Sequence, residues 1–148
     1  MKKRKLVSCM AISALVFSAA LLVLAAQQPP EEITIKPSIW SNLTKTPVQF
    51  AHKKHSTEYK IACNECHHVW KDGKNVWKEG DEVQTCDKCH TEPTTQGEMK
   101  LSPDQKKLNL KVAFHTQCWN CHRKLKKENP ASKAPIVCSG CHPGSKAD

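Results

Sequence analysis

The chain has 148 residues, of which 39% are hydrophobic and 5% aromatic, and it carries 23 basic against 14 acidic side chains. This length fits one domain, and the scarcity of apolar side chains excludes a large conventional hydrophobic core. Residues 26–99 contain nine basic and eleven acidic side chains, whereas residues 100–148 contain ten and three. The excess positive charge is therefore concentrated in the second half of the chain.

The first 25 residues have the pattern of an export signal. A basic stretch at residues 2–5 precedes an apolar run at residues 6–24, and a cleavage-like site ends at Ala25. We predict a signal peptide over residues 1–25 and a periplasmic location for the rest of the chain. The alternative is a retained membrane anchor, because residues 6–26 reach the length of about 20 residues that crosses a bilayer.

Residues 26–47 form a polar N-terminal tail, and we place the main domain at residues 48–148. Within the tail, Ile33, Thr34 and Ile35 alternate between apolar and polar side chains, which predicts a short strand. We expect Trp40 to pack in the interior rather than to serve a functional role, because aromatic side chains are mostly buried.

A five-residue pattern, Cys-x-x-Cys-His, occurs four times and uses eight of the nine cysteines. It is the attachment signature of c-type haem, in which both thiols bind the porphyrin covalently and the histidine binds the iron. We therefore predict four c-type haems, which would also fill the interior that the side chains leave empty. The predicted attachment residues are Cys63, Cys66, Cys86, Cys89, Cys118, Cys121, Cys138 and Cys141, and the motif histidines are His67, His90, His122 and His142.

Four further histidines lie outside the motifs, namely His52, His55, His68 and His115. Four irons with one motif histidine each need four more axial ligands, so the counts match and predict two histidines on every iron. His52 and His55 would share one face of a helical turn, and axial ligands approach an iron from opposite sides. His52 and His55 should therefore serve different irons, as should the adjacent His67 and His68.

Zinc and disulfide bonds are alternative uses of the same residues. Eight cysteines and eight histidines would suffice for four tetrahedral zinc sites, and Cys-x-x-Cys pairs often form reactive disulfides. Neither alternative accounts for a histidine directly after every second cysteine, so we prefer haem. Met99 is the only methionine after the signal segment, so at most one iron could have a methionine ligand. Because methionine ligation raises the reduction potential, histidine pairs predict low-potential haems.

Regular secondary structure is expected to be sparse. Asp72-Gly73 between the first two motifs predicts a turn within a small hairpin. Ser102 followed by Pro103 predicts the start of a helix that runs to Phe114, although residues 108, 110 and 112 also alternate as in a strand. The expected fold is mostly helical and irregular, with a short N-terminal strand or hairpin.

Several features together resemble the class III cytochrome c family, the small tetrahaem carriers of sulfate-reducing bacteria and their trihaem relatives. They are the segment Phe50-Ala51-His52-Lys53-Lys54-His55, the doubled His67-His68, the Asp72-Gly73-Lys74 turn and the order of the four motifs. The resemblance covers about residues 48–142 and leaves out the tail. It departs in two respects: many tetrahaem members have longer Cys-x-x-x-x-Cys-His motifs at the second and fourth sites, and the short spacing from His115 to Cys118 is more similar to that of the trihaem members.

The resemblance implies a ligand pairing and a function. The implied pairs are His52 with His67, His68 with His90, His55 with His122, and His115 with His142. The implied function is low-potential electron transfer in the periplasm, without enzymatic activity, between a hydrogenase or a membrane-bound redox complex and other partners of anaerobic sulfate respiration. We expect partners to dock near the lysine-rich residues 100–148, and we expect neither nucleic-acid binding nor a small-molecule substrate.

Two alternatives remain open. The first is a multihaem reductase in which one iron lacks a second protein ligand, so that one of the four non-motif histidines is a bystander. The second is a membrane-anchored subunit of a respiratory complex that retains residues 6–26 as its anchor.

Overall fold

The computed structural model describes residues 29–145. The predicted signal peptide, its alternative as an anchor, and Cys9 all lie outside the described residues. Within residues 29–145, no helix combines the length and the apolar character that a membrane span requires.

The first sheet joins the N-terminal segment to the start of the main domain. Strand β1 (Ile33–Ile35) pairs antiparallel with strand β2 (Val48–Phe50), and Ile33 lies opposite Phe50. The side chains of Thr34 and Gln49 form a hydrogen bond of 2.7 Å across the pair. The predicted strand at residues 33–35 is confirmed, and its partner strand leads directly into the segment that carries His52 and His55.

Further contacts anchor the segment between β1 and β2 to distant parts of the chain. The backbone amide and the hydroxyl of Ser38 both donate to the carboxylate of Asp87, at 2.8 and 2.7 Å. Half-buried Trp40 donates its indole N–H to the carbonyl of Pro93 at 2.8 Å. The segment is therefore tied to the second Cys-x-x-Cys-His motif, which contains Asp87.

The predicted hairpin between the first two motifs is confirmed. Strands β3 (Trp70–Lys71) and β4 (Lys74–Asn75) pair antiparallel. The two turn residues, Asp72 and Gly73, have φ angles of 50° and 74°. Two consecutive left-handed residues suit the right-handed twist of the flanking strands, and Asp-Gly adopts this conformation readily.

The predicted helix from Ser102 is confirmed at its start but divides into two. Helix α1 (Pro103–Leu108) begins with a capping box between Ser102 and Gln105, and helix α2 (Leu110–Phe114) follows after extended Asn109. The backbone bonds Glu92 N–H to Leu108 O and Leu110 N–H to Glu92 O, at 3.0 and 3.1 Å, interrupt the helix. The alternation of residues 108, 110 and 112 therefore corresponds to a single strand-like pairing, that of Asn109 with Glu92.

The remaining regular elements are short. Helix α3 spans Asn120–Glu128 and helix α4 spans Cys138–Cys141. Two π-helical turns cover Lys54–Glu58 and His115–Trp119, and 3₁₀ turns cover Cys63–Glu65, Cys86–Lys88 and Glu98–Lys100.

The described residues contain very little hydrophobic core. Trp77 and Leu110 are the buried hydrophobic side chains, and Asn109, which precedes Leu110, is the buried polar one. Large apolar side chains such as Trp70, at 65% exposure, lie on the surface of the polypeptide. The expected thin core and sparse secondary structure are confirmed, whereas a core built of four haems stays a prediction.

Candidate haem-binding site

Each of the four Cys-x-x-Cys-His motifs lies on a helical turn. In the first, second and fourth motifs, the histidine amide donates to the carbonyl of the first cysteine, at 2.9, 2.9 and 2.7 Å. The third motif crosses from the second π-helical turn into α3. Residues three and four positions apart share a helical face, so both thiols and the imidazole of a motif can approach one porphyrin.

The eight motif thiols are free. Burial raises the pKa of Cys118 to about 11, and nearby Cys66, Cys141 and Cys86, one from each other motif, add to this rise. Burial also raises the pKa of Cys66, Cys86 and Cys141. Reactive Cys-x-x-Cys pairs in disulfide exchange have lowered thiol pKa values. The raised thiol pKa values of Cys66, Cys86, Cys118 and Cys141 are opposite in direction to that pattern.

The histidines approach one another in pairs. The ring centroids are 6.1 Å apart for His52 and His67, 6.0 Å for His68 and His90, and 6.2 Å for His55 and His122. When a metal ion is bound between two imidazoles, the ring centroids are about 6 Å apart, which is the sum of two metal–nitrogen bond lengths and two ring radii. Each of these three pairs can therefore hold an iron between its rings, although ligation itself stays a prediction.

For the fourth expected pair, His115 and His142, the structure gives an electrostatic interaction, whereas the ring contacts within residues 29–145 join the other three pairs. Burial lowers the pKa of His115, and the positive charges of Lys111 and His142 lower it further. His115 also lines a cleft of about 170 Å³ together with Glu98, Met99 and Trp119. Beside this cleft, Glu98 and Lys111 form a half-buried ion pair of 2.6 Å.

Most of these imidazoles are oriented by the backbone. A carbonyl oxygen can only accept a hydrogen bond, so an Nδ1 facing one must carry the proton and leave Nε2 free to bind a metal. Metal-binding histidines usually have this second hydrogen bond. Within residues 29–145, six imidazoles have a carbonyl partner at 2.7 to 3.3 Å: His52 with Pro30, His55 with Ala51, His68 with Cys66, His90 with Lys107, His122 with Pro135, and His142 with Thr46.

The arrangement does not match a tetrahedral zinc site. Such a site needs four ligands around one ion. Among residues 29–145, no three His, Cys, Asp or Glu side chains are grouped so that they could hold a metal ion. The paired imidazoles suit instead an ion whose other ligands come from a planar group such as a porphyrin.

Two amide side chains that the sequence did not single out hold the motifs in place. Asn75 donates to the carbonyl of His67 at 3.1 Å and accepts from the backbone amides of Val69 and Trp77. Gln117 donates to the carbonyl of Glu65 at 2.7 Å and thereby links the first motif to the third. Asn75 follows the predicted turn, which is a weak local signal, whereas no local signal indicates Gln117.

Both π-helical turns contain a non-motif histidine. His55 lies in the first turn, and the second begins at His115 and includes Cys118. Such turns are rare and often occur at functional sites, because the wider ring of the turn displaces side chains from their usual positions.

A basic surface covers one side of α3. Arg123, Lys124 and Lys127 line an open groove there with Asn120. The guanidinium of Arg123 lies 4.4 Å from the ring centre of Trp119, which is 41% exposed. This contact holds a positive charge next to the third motif, in the half of the chain that the sequence marked as basic.

Comparison with known proteins identifies relatives of this chain. The family model for the class III cytochrome c family matches residues 27–142. A cytochrome c3 of Maridesulfovibrio salexigens is 33% identical over 123 residues, which cover 79% of this chain and 97% of that protein. A cytochrome c3 of Desulfovibrio desulfuricans is 31% identical over 121 residues, which cover 77% and 95%.

The family match begins at residue 27 and so includes the tail that the resemblance left out. The pairing of β1 with β2 explains this inclusion, because β1 belongs to the same folded unit as the motifs. The chain therefore belongs to the class III cytochrome c family, whose members bind c-type haem and transfer electrons.

Proposed function

We propose that this protein is a periplasmic electron carrier with four low-potential c-type haems, each iron held by two histidines. The observation that carries the proposal is the paired arrangement of the imidazoles, with ring centroids 6.0 to 6.2 Å apart in three pairs. The proposed iron ligands are His52 and His67, His68 and His90, His55 and His122, and His115 and His142. The proposed attachment residues are the eight motif cysteines.

When bound, the haems supply reversible one-electron chemistry, and the polypeptide attaches them and tunes their potentials. The Nδ1 hydrogen bonds keep Nε2 unprotonated on six imidazoles. Asn75 and Gln117 restrict the motif backbones. Two histidines per iron leave no position for a substrate, so we propose a carrier rather than an enzyme.

Shared chain segments explain how the four sites stay close together. His52 and His55 lie three residues apart and contact His67 and His122, respectively. His67 and His68 are adjacent in sequence and belong to different pairs. In both places, one short backbone segment contributes a histidine to each of two pairs. The distances between sites are therefore set by short stretches of chain. Electrons could then pass between sites without a conformational change.

For the partner, we propose an acidic redox protein that docks on the basic surface of residues 100–148. The groove of Arg123, Lys124 and Lys127 lies beside the third motif and would attract a negatively charged surface. From the family resemblance, we propose a periplasmic hydrogenase or a membrane-bound redox complex in sulfate respiration. Nucleic acid is not a proposed partner, because the chain carries an export-type N-terminus.

Carbon monoxide tests whether any iron has an open position. We expect no spectral change when carbon monoxide is added to the dithionite-reduced holo-protein, because both axial positions of every iron are taken. The His115→Ala variant is the positive control and should bind one equivalent. One equivalent bound by the unaltered protein would instead favour the multihaem reductase.

The location is tested separately. N-terminal sequencing of the mature protein should begin at residue 26, and the protein should be found in the soluble periplasmic fraction. An intact N-terminus in the membrane fraction would support the anchored subunit and would leave the haem chemistry unchanged.

A further inference from the structure

The Nδ1 hydrogen bonds are distributed unevenly over the four histidine pairs. Both imidazoles are bonded in the pair His68 and His90, at 3.1 and 3.0 Å, and in the pair His55 and His122, at 2.9 and 2.8 Å. In each of the other two pairs, only one imidazole has a carbonyl partner among residues 29–145.

The two imidazoles without a carbonyl partner in the described part of the chain are those of His67 and His115. Of the ring contacts in residues 29–145, those of His67 are with His52 and with Trp77, at 6.1 and 5.0 Å between centroids. Trp77 is buried and covers the His67 ring. An indole face is not a carbonyl acceptor, so this neighbour does not replace the hydrogen bond that the other imidazoles have.

The missing bond has a consequence for the reduction potential. An Nδ1–H that donates to a carbonyl makes the imidazole a stronger electron donor to the metal. Stronger donation stabilises ferric iron more than ferrous iron, so it lowers the potential. Two such bonds on one iron should therefore lower its potential more than one.

We propose that the irons of the pairs His68–His90 and His55–His122 have the two lowest potentials of the four. The irons of His52–His67 and His115–His142 are then reduced first. This inference rests on the proposed function, because it requires haem iron between each pair. The hydrogen bonds to backbone carbonyls then determine the direction in which electrons move between the irons.

One of these hydrogen bonds can be altered from outside its own site. The carbonyl that accepts from His122 belongs to Pro135, at 2.8 Å. A methyl group at Gly140 would lie 2.9 Å from Cβ of Pro135, closer than carbon atoms tolerate. Because of this clash, Gly140→Ala should move Pro135 and weaken the hydrogen bond that His122 donates to its carbonyl. Gly140 lies in the fourth motif, so the altered residue is outside the third site.

The test is a redox titration of the holo-protein followed by NMR, with each haem assigned through its axial histidines. We expect the signals of the His68–His90 and His55–His122 haems to change last on reduction. Any other order of the four potentials would overturn the proposal. A haem count other than four, or binding of carbon monoxide, would bear on the proposed function instead.

The variant provides a second, independent test. Gly140→Ala should shift the potential of the His55–His122 iron upward and speed the solvent exchange of the His122 Nδ1 proton. Ser139→Ala changes the neighbouring residue of the same turn and should alter neither quantity. If the potential of the His55–His122 iron is the same in both variants, the hydrogen bond does not set it and the proposal fails.

Discussion

The two halves of the chain hold the same five-residue motif by different means. In the first half, the motifs occupy 3₁₀ turns, and distant side chains secure them: Asn75 bonds the first and Ser38 bonds the second. In the second half, which is basic, the third motif runs from the second π-helical turn into α3 and the fourth begins on α4. The motif thus specifies the chemistry of attachment, while its surroundings specify how firmly and in what electrostatic field it is held.

The largest expected effect is at the junction of the halves. Asn109 is fully buried, donates to the carbonyl of Thr94 at 2.8 Å and caps α2 through the amide of Val112. Asn109→Ala leaves these groups unpaired and removes a cap, which should cost about 3 kcal/mol of unfolding free energy. Denaturant unfolding of the holo-protein measures it. The control is exposed Asn129→Ala, which loses one hydrogen bond to Ala131. Equal losses in the two variants would contradict the role of Asn109.

Asn75 tests how the first half is held. Asn75→Ala removes its bonds to His67, Val69 and Trp77, and it should destabilise the fold by about 2 kcal/mol. Because these bonds support the first motif, we also expect the NMR signals of its haem to broaden while those of the fourth haem stay sharp. Uniform changes at all four haems would indicate a general loss of stability rather than local support.

The charge of the second half is tested by reversal. Lys124→Glu with Lys127→Glu should slow reduction by a hydrogenase about tenfold at low salt, because steering of the acidic partner is lost. Lys71→Glu with Lys74→Glu makes the same charge change on the hairpin of β3 and β4 and should have little effect. Similar slowing in both variants, or rates that do not depend on salt, would leave no reason to place docking on α3.

The smallest expected effect is the pH dependence of the contact between Ser38 and Asp87. Hydrogen bonds from Thr85 and Ser38 lower the pKa of Asp87 to about 2 from the usual 3.8. A lowered carboxyl pKa stabilises the folded state above pH 3.8, and this contribution is lost as the pH falls towards 2.

Asp87 is exposed to solvent, so the contribution should be below about 1 kcal/mol. The melting temperature of Ser38→Ala should therefore lie below that of the unaltered protein at pH 6, and the two should converge near pH 2. A gap in melting temperature that stays constant across this range would show that the Asp87 charge is not involved.

Local signals in the sequence accounted for the elements that depend on neighbouring residues. The strand at Ile33–Ile35, the Asp72-Gly73 turn and the capping box at Ser102 depend on alternation, backbone conformation and a hydrogen bond within four residues. Each can be inferred without knowledge of the rest of the fold.

Features that depend on distant partners could not be inferred. The helix divides at Asn109 because the backbone of Glu92, 17 residues earlier, competes for its hydrogen bonds. Gln117 bonds the carbonyl of Glu65 across 52 residues. The count of histidines predicted two ligands per iron, but it carried no information on which imidazoles would find a carbonyl acceptor, because that depends on tertiary structure.

The carbonyl acceptors of the six bonded histidines also affect how this molecule can evolve. Every residue type has a main-chain carbonyl, so replacement of Lys107 or Thr46 changes a side chain and leaves the acceptor in place. The orientation of these imidazoles is therefore buffered against sequence drift, which would not hold if side-chain carboxylates accepted the hydrogen bonds. Residues around the imidazoles can then change while each ring keeps its hydrogen-bond partner.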